Sequence, residues 1–95
     1  MQQSEFYIIV YDIENDRRRL KVAKLLEQVG ERVQYSVFEA WLTRDELLKL
    51  VRRLERHVEP DEDSIRIYYL CSSCREKTRN IGEAVIVPPP GVRIV

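Results

Sequence analysis

The alternation of apolar and polar positions predicts the element order strand, helix, strand, strand, helix, strand. Residues 6–11 form an unbroken apolar run, which is typical of a strand covered on both faces, and we predict a strand over residues 5–13. Residues 64–70 predict another strand by the same criteria. Residues 32–42 are β-branched and aromatic but lose their period around Ser36. They therefore form either two short strands or one strongly bent strand.

The first predicted helix begins at Asn15 or Asp16, because either side chain can cap the exposed backbone N–H groups of a first turn. It runs to about Val29, and Gly30 supplies its C-terminal stop. Arg19 lies at the start of this helix and leans toward the sheet, near Asp12. The apolar residues that recur at helical spacing form the inward stripe: Val22, Leu25, Leu26 and Val29.

A capping box predicts where the second helix begins, because Thr43 and Glu46 can each satisfy a backbone donor of the other. This helix runs to about Val58. Its inward stripe consists of Leu47, Leu50, Val51 and Leu54.

This order of elements predicts an α+β fold, a ferredoxin-like βαββαβ sandwich with an antiparallel sheet and helices on one face. We expect residues 1–95 to form one domain, in which residues 71–95 are a link and a C-terminal dimerisation segment. The other sheet face, carrying Tyr7, Ile9 and Tyr11 or their alternates, would be apolar and exposed in a monomer. We therefore expect a homodimer that packs through the sheets.

Composition limits the classes of partner. Sixteen acidic and sixteen basic residues give a net charge of zero, so contacts with nucleic acid must come from a local patch or from a partner protein. The N-terminal residues have no basic region, and the apolar run behind them is too short for a signal or a membrane span. We expect a cytoplasmic protein with no membrane partner.

Three segments, taken in order, resemble the second CRISPR-associated core protein, the small endoribonuclease-like subunit of the adaptation machinery. They are Tyr11-Asp12-Ile13 with Asp16 and Arg19, then Gly30-Glu31-Arg32-Val33-Gln34-Tyr35-Ser36-Val37-Phe38-Glu39, and then Asp63-Ser64-Ile65-Arg66-Ile67-Tyr68. The resemblance extends from about residue 6 to residue 70. It implies a ferredoxin-like dimer whose C-terminal segment, here with Val92, Ile94 and Val95, adds a strand to the neighbouring protomer.

The same resemblance implies a role in spacer acquisition, bound to the CRISPR integrase, and metal-dependent cleavage of single-stranded RNA or double-stranded DNA. Asp12 matches the metal-binding aspartate of the family, with Mg²⁺ or Mn²⁺ as the ion. Arg19, Arg32 and Phe38 match positions tied to activity in some members. Lys21 stands where some members have arginine.

Two interpretations of Asp12 remain open at this point. One protomer offers a single well-placed carboxylate, and a two-fold axis near the strand ends would bring a second copy of Asp12 to share a Mg²⁺ ion. Alternatively, Asp12 caps the following helix or pairs with Arg19 and binds no metal.

Two groups of basic residues are candidates for contacts with phosphate groups. Arg17, Arg18 and Lys21 cluster at the start of the first helix, and Arg52 and Arg53 lie with Lys49 and Arg56 on the second. The alternative is that each group is a solvated helix face, with Glu55 and Glu59 neutralising part of the second group.

Two other functions, and a possible site at the cysteine pair, are compatible with the sequence. The chain could be a non-catalytic dimer that bridges integrase subunits, or a toxin-like ribonuclease related to the virulence-associated D proteins. Cys71 and Cys74 could form a redox pair or half of a shared zinc site, but a reduced pair or an opportunistic disulfide is favoured, because a structural zinc ion needs four ligands.

Overall fold

The computed structural model describes residues 3–82 and 86–89. The elements are β1 Glu5–Asp12, α1 Asp16–Val29, β2 Gly30–Gln34, β3 Val37–Leu42, α2 Arg44–Glu55, β4 Ser64–Leu70 and α3 Ser72–Glu76. All predicted elements are present, and the ambiguous segment forms two strands. The second helix ends three residues earlier than predicted. Sequence reasoning missed α3, where it expected only a polar link.

The four strands form one sheet in the order β2-β3-β1-β4, and each neighbouring pair is antiparallel. This is the predicted ferredoxin-like arrangement, in which β1 lies between β3 and β4. In the register, Asp12 at the end of β1 is opposite Ser64 at the start of β4. The polar end of β1 is thereby brought next to the loop that follows α2.

The core lies between the sheet and the helices. Tyr7, Ile9 and Tyr11 of β1 are buried in the same cluster as Val22 of α1 and Leu50 of α2. Since side chains alternate along a strand, the other face of β1 carries the even-numbered residues. Within one protomer the helices thus lie on one face of the sheet, as predicted, and no helix covers the other face of β1.

The uncovered face is the one that carries Ile8, Val10 and Asp12. Ile8 and Val10 are only partly buried, and Tyr68 of β4 keeps 48% of its surface exposed. Ile8 and Val10, rather than Tyr7, Ile9 and Tyr11, thus lie on the open apolar face.

The caps of both long helices are as predicted. The Asn15 side chain caps α1 by accepting from Arg18 N at 3.0 Å, and Thr43 and Glu46 form the capping box of α2. Gly30 does end α1, but it has an extended backbone and begins β2. A Cβ atom there would lie 2.4 Å from the backbone oxygen of Glu39. Glycine is therefore required by the close approach of β2 and β3, not by a left-handed turn.

Trp41 joins α3 and the described part of the C-terminal segment to the sheet. Its ring packs edge-on against Phe6 with the centroids 5.1 Å apart, and the Arg75 guanidinium lies 4.6 Å from its centroid. The indole Nε1 donates to the Val87 carbonyl at 2.7 Å. The tail with Val92, Ile94 and Val95 lies outside the described residues. Across residues 3–82 and 86–89, the helices are too short or too polar to span a membrane.

Candidate functional site

Asp12 is an exposed carboxylate at the end of a central strand. It lies on the uncovered face of the sheet, in line with Ile8 and Val10. Among the described residues, its side chain makes no hydrogen bond or ion pair. Asp12 is therefore available to a ligand or to a second protein chain.

Both structural roles considered for Asp12 belong to other residues. Asn15, not Asp12, caps α1. Arg19 forms an ion pair with Asp16, and it also donates to the carbonyls of Ile13 at 3.1 Å and Glu14 at 3.0 Å. The expectation that Asp12 caps the helix or pairs with Arg19 is wrong within this protomer. Arg19 instead holds the loop that follows Asp12.

Arg18 is held by two carboxylates from the loop before β4. Its Nε donates to Asp63 Oδ2 at 2.7 Å and its Nη2 to Glu62 Oε2 at 2.7 Å. Asp63 Oδ2 also accepts from Glu59 N at 2.8 Å. The hydrogen bond from Arg18 holds the pKa of Asp63 below its ordinary value. A phosphate contact by Arg18 would have to compete with these bonds.

Arg32 and Phe38 lie away from Asp12, on the helix-covered side of the sheet. They are register partners in β2 and β3, and the Arg32 guanidinium lies 5.3 Å from the centroid of the Phe38 ring. Arg32 Nη2 is also 3.4 Å from Glu27 Oε1. Phe38 is fully buried, so it supports neighbouring residues and cannot touch a substrate from this position.

Tyr11 is a residue of this region that sequence reasoning passed over. Its ring stacks on Phe38 with the centroids 6.2 Å apart, and its hydroxyl donates to the Tyr35 carbonyl at 3.2 Å. Tyr11 N also donates to the carbonyl of Ser36 at 3.1 Å. These bonds tie the strand end that carries Asp12 to the β2–β3 turn. The sequence does contain a signal for this role, the tyrosine directly before Asp12, because a buried tyrosine hydroxyl usually has a hydrogen-bond partner.

The remaining basic candidates are exposed and fall into two separate groups. Arg17 and Lys21 lie on the first half of α1, close in sequence to the Asp12 loop. Arg52 and Arg53 lie on α2 and line a cavity with Val29, at the opposite end of α1. No ion pair involving any of these four residues is present in the described ranges.

Asp12 alone gives an incomplete set of metal ligands. The described residues contain no group of three or more histidine, cysteine or acidic side chains placed to hold a metal ion. A magnesium ion can be held by one or two carboxylates together with phosphate oxygens and water. The carboxylate of Asp12 fits such a site chemically, provided that another molecule supplies the remaining oxygens.

The sequence of this chain matches a known protein family. A family model described as CRISPR associated protein Cas2 matches residues 5–78. The protein named CRISPR-associated endoribonuclease Cas2 1 from Chloroflexus aurantiacus is 50% identical over 86 residues, which cover 90% of this chain and 89% of that protein.

Solved structures agree with the sequence match. Cas2 of Streptococcus pyogenes is 32% identical, with a TM-score of 0.71 over 81% of this chain and 99% of that one. A chain of a partial Cas6-RT-Cas1–Cas2 complex is also 32% identical, with a TM-score of 0.71 over 81% of this chain and 90% of that one. With most of its length matched in both sequence and fold, this chain belongs to the CRISPR associated protein Cas2 family.

Proposed function

We propose that this protein acts in the cytoplasm as a homodimeric, metal-dependent endonuclease of CRISPR spacer acquisition, together with the CRISPR integrase. The names of its relatives support a phosphodiester-cleaving activity on RNA, and double-stranded DNA is the other substrate class. The similar chain from a Cas1–Cas2 complex supports the integrase as a partner. We propose one domain over residues 1–95, with residues 71–95 completing the dimer.

The observation that carries this proposal is the unpaired carboxylate of Asp12. Polar residues of the segment that follows Asp12 have partners of their own: Asn15 caps α1, Arg19 binds Asp16, and Arg18 binds Asp63. An exposed carboxylate without a partner in its own chain can bind an external cation, together with phosphate oxygens and water.

A dimer through the open sheet face would complete the site. Ile8 and Val10 lie on the same face as Asp12, so a second copy that covers these apolar side chains also approaches Asp12. A two-fold interface is formed by the same patch on both subunits. The two copies of Asp12 would therefore face one another near the axis, where two carboxylates repel unless a cation lies between them.

Each predicted residue has a role consistent with its position. The two copies of Asp12 would hold Mg²⁺ or Mn²⁺, which when bound supplies activation of water and stabilisation of developing negative charge on the phosphate. Arg19 keeps the loop after Asp12 in place through its bonds to two loop carbonyls. Arg17 and Lys21 are free to contact phosphate groups of the same strand.

Arg32 and Phe38 act as positioning residues in this scheme. Phe38 supports the ring of Tyr11, the residue before Asp12, and Arg32 covers the other part of the Phe38 ring. Neither residue lies on the face that carries Asp12, so their effect on cleavage would pass through the position of the β1 end.

The second candidate function is a non-catalytic bridge between integrase subunits. It is favoured by the incomplete metal ligand set in the described part of one protomer. In that case Asp12 would serve the interface, and spacer acquisition would not depend on its negative charge.

Asp12→Asn tests the proposal, because it keeps the size of the side chain and removes the charge. We expect cleavage of a labelled RNA or duplex DNA with Mg²⁺ to fall at least about 100-fold, beyond the loss typical for a residue that only supports a metal ligand. Circular dichroism and the mass of the dimer should not change. Asp61→Asn, in the exposed turn after α2, is the matched control and should cleave as the wild type does.

Two outcomes would contradict the proposal, the first for the role of Asp12 in cleavage and the second for the role of cleavage in spacer acquisition. Undiminished cleavage by Asp12→Asn would assign the activity to another site or to a contaminant. Normal spacer acquisition in cells by a cleavage-dead Asp12→Asn protein would support the bridging function instead.

A further inference from the structure

A basic groove lies on the outer surface, far from Asp12. It has a volume of about 490 Å³ and lies between the end of α1 and α2. Val29 and Leu50 contribute apolar surface. Four cationic side chains, which we call the α2 basic row, line it: Lys49, Arg52, Arg53 and Arg56.

The cations of this row lie side by side without ion-pair partners in the described part of the chain. Residues spaced by three and four positions share one face of a helix, so the four cations are neighbours. None of them forms an ion pair with another described residue. Among the described lining residues only Glu46 is acidic, and its Oε1 accepts from Thr43 N at 2.8 Å as part of the capping box.

Glu55, which the sequence suggests as a partial counter-charge, forms no ion pair with the α2 basic row among the described residues. It lines a different cavity, together with Val51 and Val58. The α2 basic row is therefore a concentrated positive patch on a chain whose net charge is zero.

The helix dipole does not account for this arrangement. Cations in the last turn of a helix are favoured by the partial negative charge of the C-terminus, which suits Arg52 and Arg53. The effect falls off within one turn, and Lys49 lies in the middle of α2. The dipole therefore does not explain the whole row, which extends from the helix centre to its C-cap at Arg56.

We infer that the α2 basic row binds the phosphate backbone of a nucleic-acid duplex, at a contact separate from Asp12. None of the described residues that line the groove is aromatic, so they offer no stacking surface of the kind with which proteins hold unpaired bases. Arginine forks match phosphate oxygens at two points. This inference rests on the proposed function only in taking nucleic acid as the substrate class.

The position of the groove gives the contact a distinct role. The 14 residues of α1 extend about 20 Å at 1.5 Å per residue, from the Asp12 loop to Val29 beside the groove. A single phosphate cannot touch both places. The α2 basic row would hold a duplex at a distance from the bond that Asp12 acts on.

The test compares salt-dependent binding of three proteins to a fluorescent 30-base-pair duplex without Mg²⁺. Each phosphate contact that is lost should lower the slope of log affinity against log salt by about 0.9. The double variant Arg52→Gln/Arg53→Gln should therefore lose about 2 units of slope relative to the wild type and bind more weakly at every salt concentration. The control Lys77→Gln/Arg79→Gln removes the same charge from exposed positions after α3 and should keep the wild-type slope.

Each other result overturns the inference. An unchanged slope in the α2 variant would show that Arg52 and Arg53 make no phosphate contact. An equal loss of slope in both variants would show only a non-specific effect of charge. Normal duplex binding with lost co-purification of the integrase would assign the groove to an acidic protein surface.

The outcome is separable from that of the proposed function. The binding assay contains no Mg²⁺, so its result does not depend on cleavage at Asp12. A protein that does not cleave but shows the selective loss at Arg52 and Arg53 would retain this inference while refuting the nuclease.

Discussion

Arg18 and Asp63 form a two-point ion pair across 45 residues of sequence, with Nε to Oδ2 at 2.7 Å and Nη2 to Oδ1 at 3.1 Å. The Asp63 side chain is fully enclosed, and its Oδ2 also accepts from Glu59 N. One carboxylate thus joins the first turn of α1 to the loop that leads into β4. Because Ser64, the next residue, pairs with Asp12 in the sheet, this contact fixes the position of the strand segment beside Asp12.

Asp63→Asn should destabilise the protein more than Glu62→Gln. The first change removes the charge from both Arg18 bonds and from the bond to Glu59 N, whereas Glu62 is largely exposed and makes one bond. The melting temperature measured by circular dichroism gives the comparison. Equal melting temperatures of the two variants would show that the second Arg18 bond and the enclosure of Asp63 do not add to stability.

The Asp63 effect should depend on pH in a defined direction. Since Arg18 lowers the pKa of Asp63 in the folded state, its contribution is fully present above the unfolded carboxyl pKa of about 4 and is lost as pH falls through the folded value. The difference in stability between the wild type and Asp63→Asn should therefore be constant near neutrality and shrink below about pH 4. A difference that grows in acid would contradict this origin.

Glu39→Gln should stabilise the protein at neutral pH. Burial, and then repulsion by Glu31 on the neighbouring strand, raises the pKa of Glu39. A raised carboxyl pKa means that the folded state disfavours the charged form, so the gain should disappear as pH falls below the unfolded value of about 4.3. Urea unfolding of the wild type and the variant at pH 7 and pH 4 measures this gain in the free energy of unfolding. Glu31→Gln is the control and should give a smaller gain, because it relieves only the repulsion.

Gly30→Ala should destabilise the sheet edge by about 1–3 kcal/mol, the usual range for overpacking. The added Cβ would meet the backbone oxygen of Glu39 at 2.4 Å and the Cβ of Ala40 at 2.9 Å. Backbone atoms of a paired strand cannot move aside as a side-chain end can. Urea unfolding measures the loss, and Val33→Ala at an exposed position of β2 should cost less. Equal losses would show that β2 can shift without penalty.

Cys71 should react with iodoacetamide at a lower pH than Cys74. The backbone N–H of Cys74 and the Ser73 hydroxyl stabilise its thiolate and lower its pKa to about 7, while the pKa of Cys74 is raised, chiefly by its hydrogen bond with Cys71. The alkylation rate of Cys71, followed by mass spectrometry, should therefore rise with a midpoint near pH 7. Ser73→Ala should move this midpoint upward, whereas Ser72→Ala should not. Equal pH profiles for both thiols would contradict this environment.

The sequence by itself determined the order of elements and the caps. Local rules decide these features: Asn15 and Thr43 satisfy backbone donors within the next three residues, and the apolar periods show which side of each helix faces inward. The family resemblance, carried by short segments around Asp12, Phe38 and Asp63, identified the fold class correctly.

Tertiary structure decided which charged groups meet. The sequence leaves Arg18 as a candidate for phosphate contact or as part of a solvated helix face, because its partner Asp63 is 45 residues away and reaches it only after β4 docks beside β1. Arg19 was placed near Asp12, yet at its actual position the nearest acceptors are Asp16 and two loop carbonyls.

The face on which Asp12 lies was likewise decided only by folding. Alternation along β1 separates Tyr11 from Asp12, but sequence does not say which of the two sets the helices cover. In the folded chain the helices cover Tyr7, Ile9 and Tyr11, which are buried in one cluster with Val22 and Leu26. Asp12 is consequently left on the open face, where the physical environment of its carboxylate is set by whatever covers that face.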